Sequence, residues 1–245
     1  MKLVISASPH IDSGATTRKI MGDVLIALLP ALIAAVIIFG WRALLVTAVC
    51  AAACVFFEWG FEKLCHKPST IDDLSAVVTG VILAYNLPVS IPLWQAVFGC
   101  LVAIVAVKQL FGGIGKNFLN PALAGRAFML ASFASTMSGN WIDPAVSKAG
   151  IASTADIVTA ATPLTYLKGD DIAATFQTLT ETYSVGDMFL GKCGGSLGEV
   201  SALCLLLGLV WLLFRKVISW HIPVSYIATV AVLTLIFPRG GADAV

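Results

Sequence analysis

The sequence predicts an all-α polytopic membrane protein with about seven transmembrane helices and one long extracytoplasmic loop. Three observations carry this. Of the 245 residues, 58% are hydrophobic and 12% charged, about half the charged share of a soluble domain, and the mean hydropathy is +0.93. Apolar runs of near-spanning length recur along the chain. One polar stretch, 138–196, separates them into two groups.

A spanning helix needs ~20 largely apolar residues, fewer where its ends snorkel or the bilayer thins. The runs are 24–39, 43–57, 74–87, 93–107, 119–137, 197–214 and 220–237. The first continues at spanning length without a small-residue cleavage site, so it is expected to be a span and not a cleaved signal peptide. The third is short and ends at Asn86-Leu87-Pro88, followed by Pro92. Two readings stand there: a broken helix lining a cavity, or a helix end at the interface. The chain thus divides into 1–137 with the first five spans, 138–196 as the loop, and 197–245 with the last two.

Lys and Arg set the expected orientation. With the N-terminus inside, Lys2, Arg18, Lys19, Lys63, Lys67, Lys108, Lys116, Arg215 and Lys216 fall on inner segments, and Arg42, Lys148, Lys168, Lys192 and Arg239 on outer ones. Positive charge inside therefore predicts a cytoplasmic N-terminus and an extracytoplasmic 138–196 loop. The net charge of +1 and the absence of a long basic run exclude a nucleic-acid footprint. The cysteines form no C-x-x-C and mostly lie in apolar runs, where they read as small hydrophobes. No metal site and no catalytic side-chain set is expected.

Phe111-Gly112-Gly113-Ile114-Gly115-Lys116-Asn117 imitates a phosphate loop but lacks its spacing, since Leu110 stands for the first glycine and Asn117 for Ser/Thr. These glycines are expected to serve close packing or a re-entrant turn. Arg126 within the fifth run must snorkel, pair, or bind an anionic group. At the loop exit, Gly194, Gly195 and Gly198 permit close approach, while Glu199 reads as an interfacial acid or a cation site.

The hydroxyl-rich stretch Asp156-Ile157-Val158-Thr159-Ala160-Ala161-Thr162-Pro163 carries the functional reading. By itself Thr162-Pro163 is a good helix start, with threonine as N-cap and proline first in the helix. It also resembles the flavinylation stretch of the RnfD/NqrB family of membrane subunits, matching at Asp156, Thr159, Ala161 and Thr162, with Ala160 where glycine is usual. A decoy, Ser13-Gly14-Ala15-Thr16, has the glycine but carries His10 where the aspartate should be. Further stretches resemble the same family: Ser8-Pro9-His10, the segment from Ile20-Met21 to Pro30-Ala31, Asn117 through Phe128, and Gly194 through Ser201. The short segment before the first span favours the RnfD branch.

The resemblance implies two inverted helical halves, much of the second being absent here, so a truncated chain is expected. It implies FMN joined by its phosphate to Thr162, placed there by a flavin transferase, and riboflavin held noncovalently. Asn120, Arg126, Gly195 and Glu199 are the accompanying candidates for cofactor contact. It implies partnership with other Rnf subunits in a cytoplasmic membrane, in a complex that couples ferredoxin/NAD electron transfer to Na+ or H+ movement. The NADH:quinone reductase branch is the nearest alternative. A cofactor-free channel with a glycine-lined path and broken helices is the rival from another class. An anionic tether is costly to bury unpaired in hydrocarbon, which fits the position of Thr162 in the polar loop.

Overall fold

The protein is described by a computed structural model covering residues 15–139, 141, 184–191, 193–198 and 201–236. Among these residues the secondary structure is entirely helical, and every apolar run carries a helix. Helix α1 spans Thr17–Phe39 and α2 spans Trp41–Leu64, joined at Gly40, whose φ of 78° is in the left-handed region that suits glycine. At 23 and 24 residues these two are about 35 Å long, enough to cross a bilayer. A short 3₁₀ turn, Ile71–Asp73, leads into α3, Ser75–Tyr85. Helix α4, Leu93–Leu101, continues as a π-helix over Val102–Gln109. Then follow α5 (Pro121–Ser132), α6 (Ala134–Gly139), α7 (Val185–Leu190), α8 (Ala202–Phe214) and α9 (His221–Ile236).

Apolar runs alone misplace several helix ends. Helix α1 begins at Thr17, ahead of its apolar run, because Thr16 caps it by accepting from the Lys19 amide at 3.4 Å. The fifth run is two helices that part at Phe133, with no glycine or proline at the break. The Phe133 ring packs edge-on against Trp94 at 5.4 Å and near Phe98 at 6.4 Å, so tertiary docking bends the chain there. The sixth run enters its helix only at Ala202. Its Leu197 and Gly198 amides donate instead to Leu87 O at 3.2 Å and Tyr85 O at 2.9 Å.

Helix α2 is the hub, packed against α1, α3, α4 and the π-helix. The α2–α3 crossing is close because Gly80 lies against the Ala51 and Cys50 backbone, where a β-carbon would stand 2.7 Å from Ala51 Cα. The α1–α8 crossing depends likewise on Gly208, where a β-carbon would meet Ala27 O at 2.3 Å. Helices α4 and α5 run antiparallel. Trp94 meets Phe133 and Phe98 meets Phe128, while Phe111 meets Phe118 at the other end of the pair. Arg42, at the start of α2, donates to the Val89, Ser90 and Ile91 carbonyls of the α3–α4 turn. The outward faces are apolar, including Ile33, Ile37, Val210 and Phe214, as expected of surfaces against lipid.

Candidate functional site

Two polar features interrupt the apolar bundle. The first is the break after α3. Asn86 caps that helix, donating Nδ2 to Ile82 O at 2.7 Å, and its Oδ1 accepts from Arg126 Nη1 of α5 at 2.8 Å. The guanidinium thereby sits by the C-terminal end of α3, where helix dipoles favour a cation. Gly198 closes against the Tyr85 side chain, leaving no room for a β-carbon, which would lie 2.5 Å from Tyr85 Cβ. A β-carbon at Gly195 would meet nothing within 4 Å. Two buried oxygens close to this turn in the chain, Ser196 Oγ and Gln95 Oε1, have no hydrogen-bond partner, a rare condition that calls for an explanation.

The second feature is a buried ionic network on the opposite end of the same helices. Lys108 Nζ donates to both Glu58 oxygens at 2.7 and 2.8 Å and to Ser75 Oγ at 2.6 Å. Gln109 Nε2 donates to Glu58 Oε1 at 2.8 Å. The Thr70 hydroxyl is placed to donate to Glu58 Oε1, at 3.0 Å, and to Glu62. Glu58 is 0% exposed, so its charge is tolerated only because its neighbours answer it. The π-helix makes this arrangement: Leu110 N–H reaches Val105 O, five residues back, at 3.1 Å. The wider turn reduces the angular step between adjacent residues, so Lys108 and Gln109 both face α2. Gly112 and Gly113, with φ of 106° and 87°, then end the helix, the Gly113 amide donating to Lys108 O at 3.0 Å. These glycines form a helix-ending turn, and Gly113 and Gly115 do not serve close packing, since a β-carbon at either would meet nothing within 4 Å.

The sequence candidates fare unevenly. Asp156, Thr159, Ala160, Ala161, Thr162 and Glu199 lie outside the described residues. Arg126 and the Gly195 segment come together at the α3 break, one through Asn86 and the other through Leu197 and Gly198. Asn120 does not join them: its Oδ1 caps α5, accepting from the Ala122 and Leu123 amides at 3.0 and 3.4 Å. Thr16, the decoy, is the α1 cap. Sequence reasoning misses Glu58, Glu62 and Lys108 as a group, though the signal is present. The apolar runs close at residues 57 and 107, just before Glu58 and Lys108, whereas both helices run on.

Among the described residues the structure is an apolar helical bundle with two helices long and apolar enough to cross a membrane and several shorter apolar ones, consistent with a membrane protein. The chain belongs to the NQR2, RnfD, RnfE family, whose sequence model matches residues 4–244. It is 46% identical, over 96% of its length and 70% of the relative's, to the RnfD subunit of the Na+-translocating ferredoxin:NAD+ oxidoreductase complex of Acetobacterium woodii. It is 40% identical, over 95% of its length and 69% of the relative's, to the corresponding subunit of the proton-translocating complex in Clostridium ljungdahlii. The corresponding subunit of the ion-translocating oxidoreductase complex of Halorhodospira halophila is 36% identical over 97% of this chain and 72% of that one.

Proposed function

We propose that this chain is the flavin-carrying membrane subunit of a redox-driven ion translocase of the ferredoxin:NAD+ oxidoreductase type. The observation that carries the reading is the pattern Asp156-x-x-Thr159-x-Ala161-Thr162 in a chain 46% identical to a subunit of such a complex. In this reading Thr162 Oγ1 forms a phosphoester with FMN. A flavin transferase supplies the group from FAD, AMP departs, and the hydroxyl proton passes to a base of the transferase. The donor chemistry fits, since an alcohol oxygen forms a phosphoester and the segment is polar and outside the apolar runs. Bound FMN supplies one-electron redox chemistry, and the chain supplies its tether, position and surroundings. The remaining Rnf subunits supply the ferredoxin and NAD+ chemistry. The relatives named above include both Na+- and proton-translocating complexes, so the coupling ion is Na+ or H+.

The same reading takes seven spans in a cytoplasmic membrane, with the N-terminus inside and the Thr162 loop outside. Pairing of helix ends supports it. Asp23 near the start of α1 meets Arg215 after α8 at 3.0 Å. Glu58, Ser75 and Lys108 converge at one end of α2, α3 and α4, and Arg42 meets the α3–α4 turn at the other. Arg126, Gly195 and Glu199 are proposed to contact a noncovalent flavin such as riboflavin, while Asn120 is engaged in capping α5. The unpartnered Ser196 Oγ and Gln95 Oε1 are compatible with a polar ligand in the membrane interior. Co-expression with a flavin transferase tests the central assignment. In-gel flavin fluorescence should vanish in Thr162→Ala and persist in Thr16→Ala. Loss in the second and persistence in the first would transfer the role to the N-terminal stretch.

A further inference from the structure

We propose that the cavity between the start of α1 and the end of α8 binds the phosphate of an anionic membrane lipid. The cavity holds about 240 Å³, and its walls include Lys19, Ile20, Asp23, Arg215, Lys216 and Val217. Among the described residues the lining thus holds three cationic residues and one carboxylate. That carboxylate is already engaged, since Asp23 Oδ1 accepts from Arg215 Nε at 3.0 Å. The pair fixes the guanidinium at the cavity wall with donors of its planar fork to spare, and the two lysines leave a net positive lining. The N-terminal end of α1, a full-length helix, opens at the same place and adds its own positive potential.

The turn after α8 places Lys216 at the cavity. Helix α8 ends in a Schellman motif: Val217 N–H donates to Leu212 O and Lys216 N–H to Leu213 O, both at 3.0 Å. Lys216 occupies the left-handed position of that motif, with φ of 55°, where glycine or asparagine would be at less strain. The motif thereby sets Lys216 in the cavity wall beside Arg215 and Val217.

The surroundings select a lipid over a soluble phosphate. Next to the cations the outer faces are apolar, with Ile20 on α1 and Leu206, Leu207, Val210 and Phe214 on α8 all exposed. Acyl chains lie along such faces. Trp211, whose ring is 6.0 Å from the Arg215 guanidinium carbon, is the aromatic expected at headgroup level. Basic pockets between membrane helices take anionic headgroups in this way. The site shares no element with the Thr162 stretch, so its failure and the failure of the flavin assignment are separable.

Native mass spectrometry of the purified full chain, with phosphatidylglycerol or phosphatidylcholine added, reads the site directly. Wild type should retain phosphatidylglycerol about tenfold over phosphatidylcholine. Lys19→Gln and Lys216→Gly should each reduce that retention about fivefold, the effect expected of one interfacial cation, and Lys19→Arg should restore it. Lys216→Gly should melt no lower than wild type, because glycine suits the left-handed position, and flavin labelling should be unchanged in every variant. Equal retention of the two lipids, or undiminished retention in the double variant, would overturn the proposal. Displacement of phosphatidylglycerol by millimolar inorganic phosphate would overturn the lipid assignment in favour of a free phosphate.

Discussion

At the residue scale the bundle's most consequential pair is Glu58 with Lys108. Both are buried, with Glu58 at 0% and Lys108 at 2% exposed; Glu58 accepts hydrogen bonds from Thr70 and Gln109, and Lys108 also donates to Ser75 Oγ. Removing one member strands the other in an apolar interior, which costs about 3–5 kcal/mol, whereas replacing both with apolar side chains of similar volume costs much less. Lys108→Met should therefore destabilise the detergent-solubilised protein by about that amount, and Glu58→Leu added to it should recover a large part. Unfolding titrations in mixed micelles measure both. Equal losses in the single and double variants would show that the pair is not the source of the cost. Arg126 makes a different case, because it donates to Asn86 at the end of α3 through a planar fork that lysine lacks. Arg126→Lys should lower noncovalent flavin retention while leaving assembly intact if the arginine serves a ligand. Unchanged flavin content would leave it as the clasp between α3 and α5 only.

At the element scale, close crossings depend on single glycines. Gly208→Ala places a β-carbon against the Ala27 carbonyl, 2.3 Å away, and backbone cannot yield as a side-chain tip can. Overpacking of this kind costs about 1–3 kcal/mol, and an α1–α8 cysteine cross-link should form more slowly in that variant. These elements show how far the sequence could be read. Helix existence was legible at every apolar run, because hydropathy alone separates lipid-facing segments from loops. The π-helix was not, since its cause is the demand that Lys108 and Gln109 reach one carboxylate on a distant helix. The break at Phe133 was equally silent, being set by aromatic docking onto α4 instead of by a glycine or proline. The late start at Ala202 had a sign in Gly194, Gly195 and Gly198, residues that allow close approach. Gly198 makes such an approach, against Tyr85 at the end of α3, which is a tertiary fact, whereas a β-carbon at Gly195 meets nothing within 4 Å. Of the candidate site, Arg126 and Gly195 stood out by residue type, but their meeting at Asn86 and Leu87 depends on the folded turn.

At the scale of the whole molecule, one end of the bundle belongs to the cytoplasm and the hydroxyl-rich loop to the other side in the proposed topology. Native thiols test the orientation. Cys65 is exposed just beyond α2 and should react with an impermeant maleimide only in inside-out vesicles. Cys193 should react from the opposite side. Burial raises its thiol above the ordinary value, so less thiolate is present near neutrality and its labelling should quicken as the pH rises. Labelling of both thiols from one side would contradict the topology. The proposed electron relay is a chemical question: whether a threonine of this chain carries FMN. Mass analysis of the segment 156–168, from protein made with a flavin transferase, answers it. That segment should carry the added mass of FMN less water, localised to Thr162 by fragmentation and absent in Thr162→Ala. An unmodified segment, from protein made together with an active flavin transferase, would contradict the assignment.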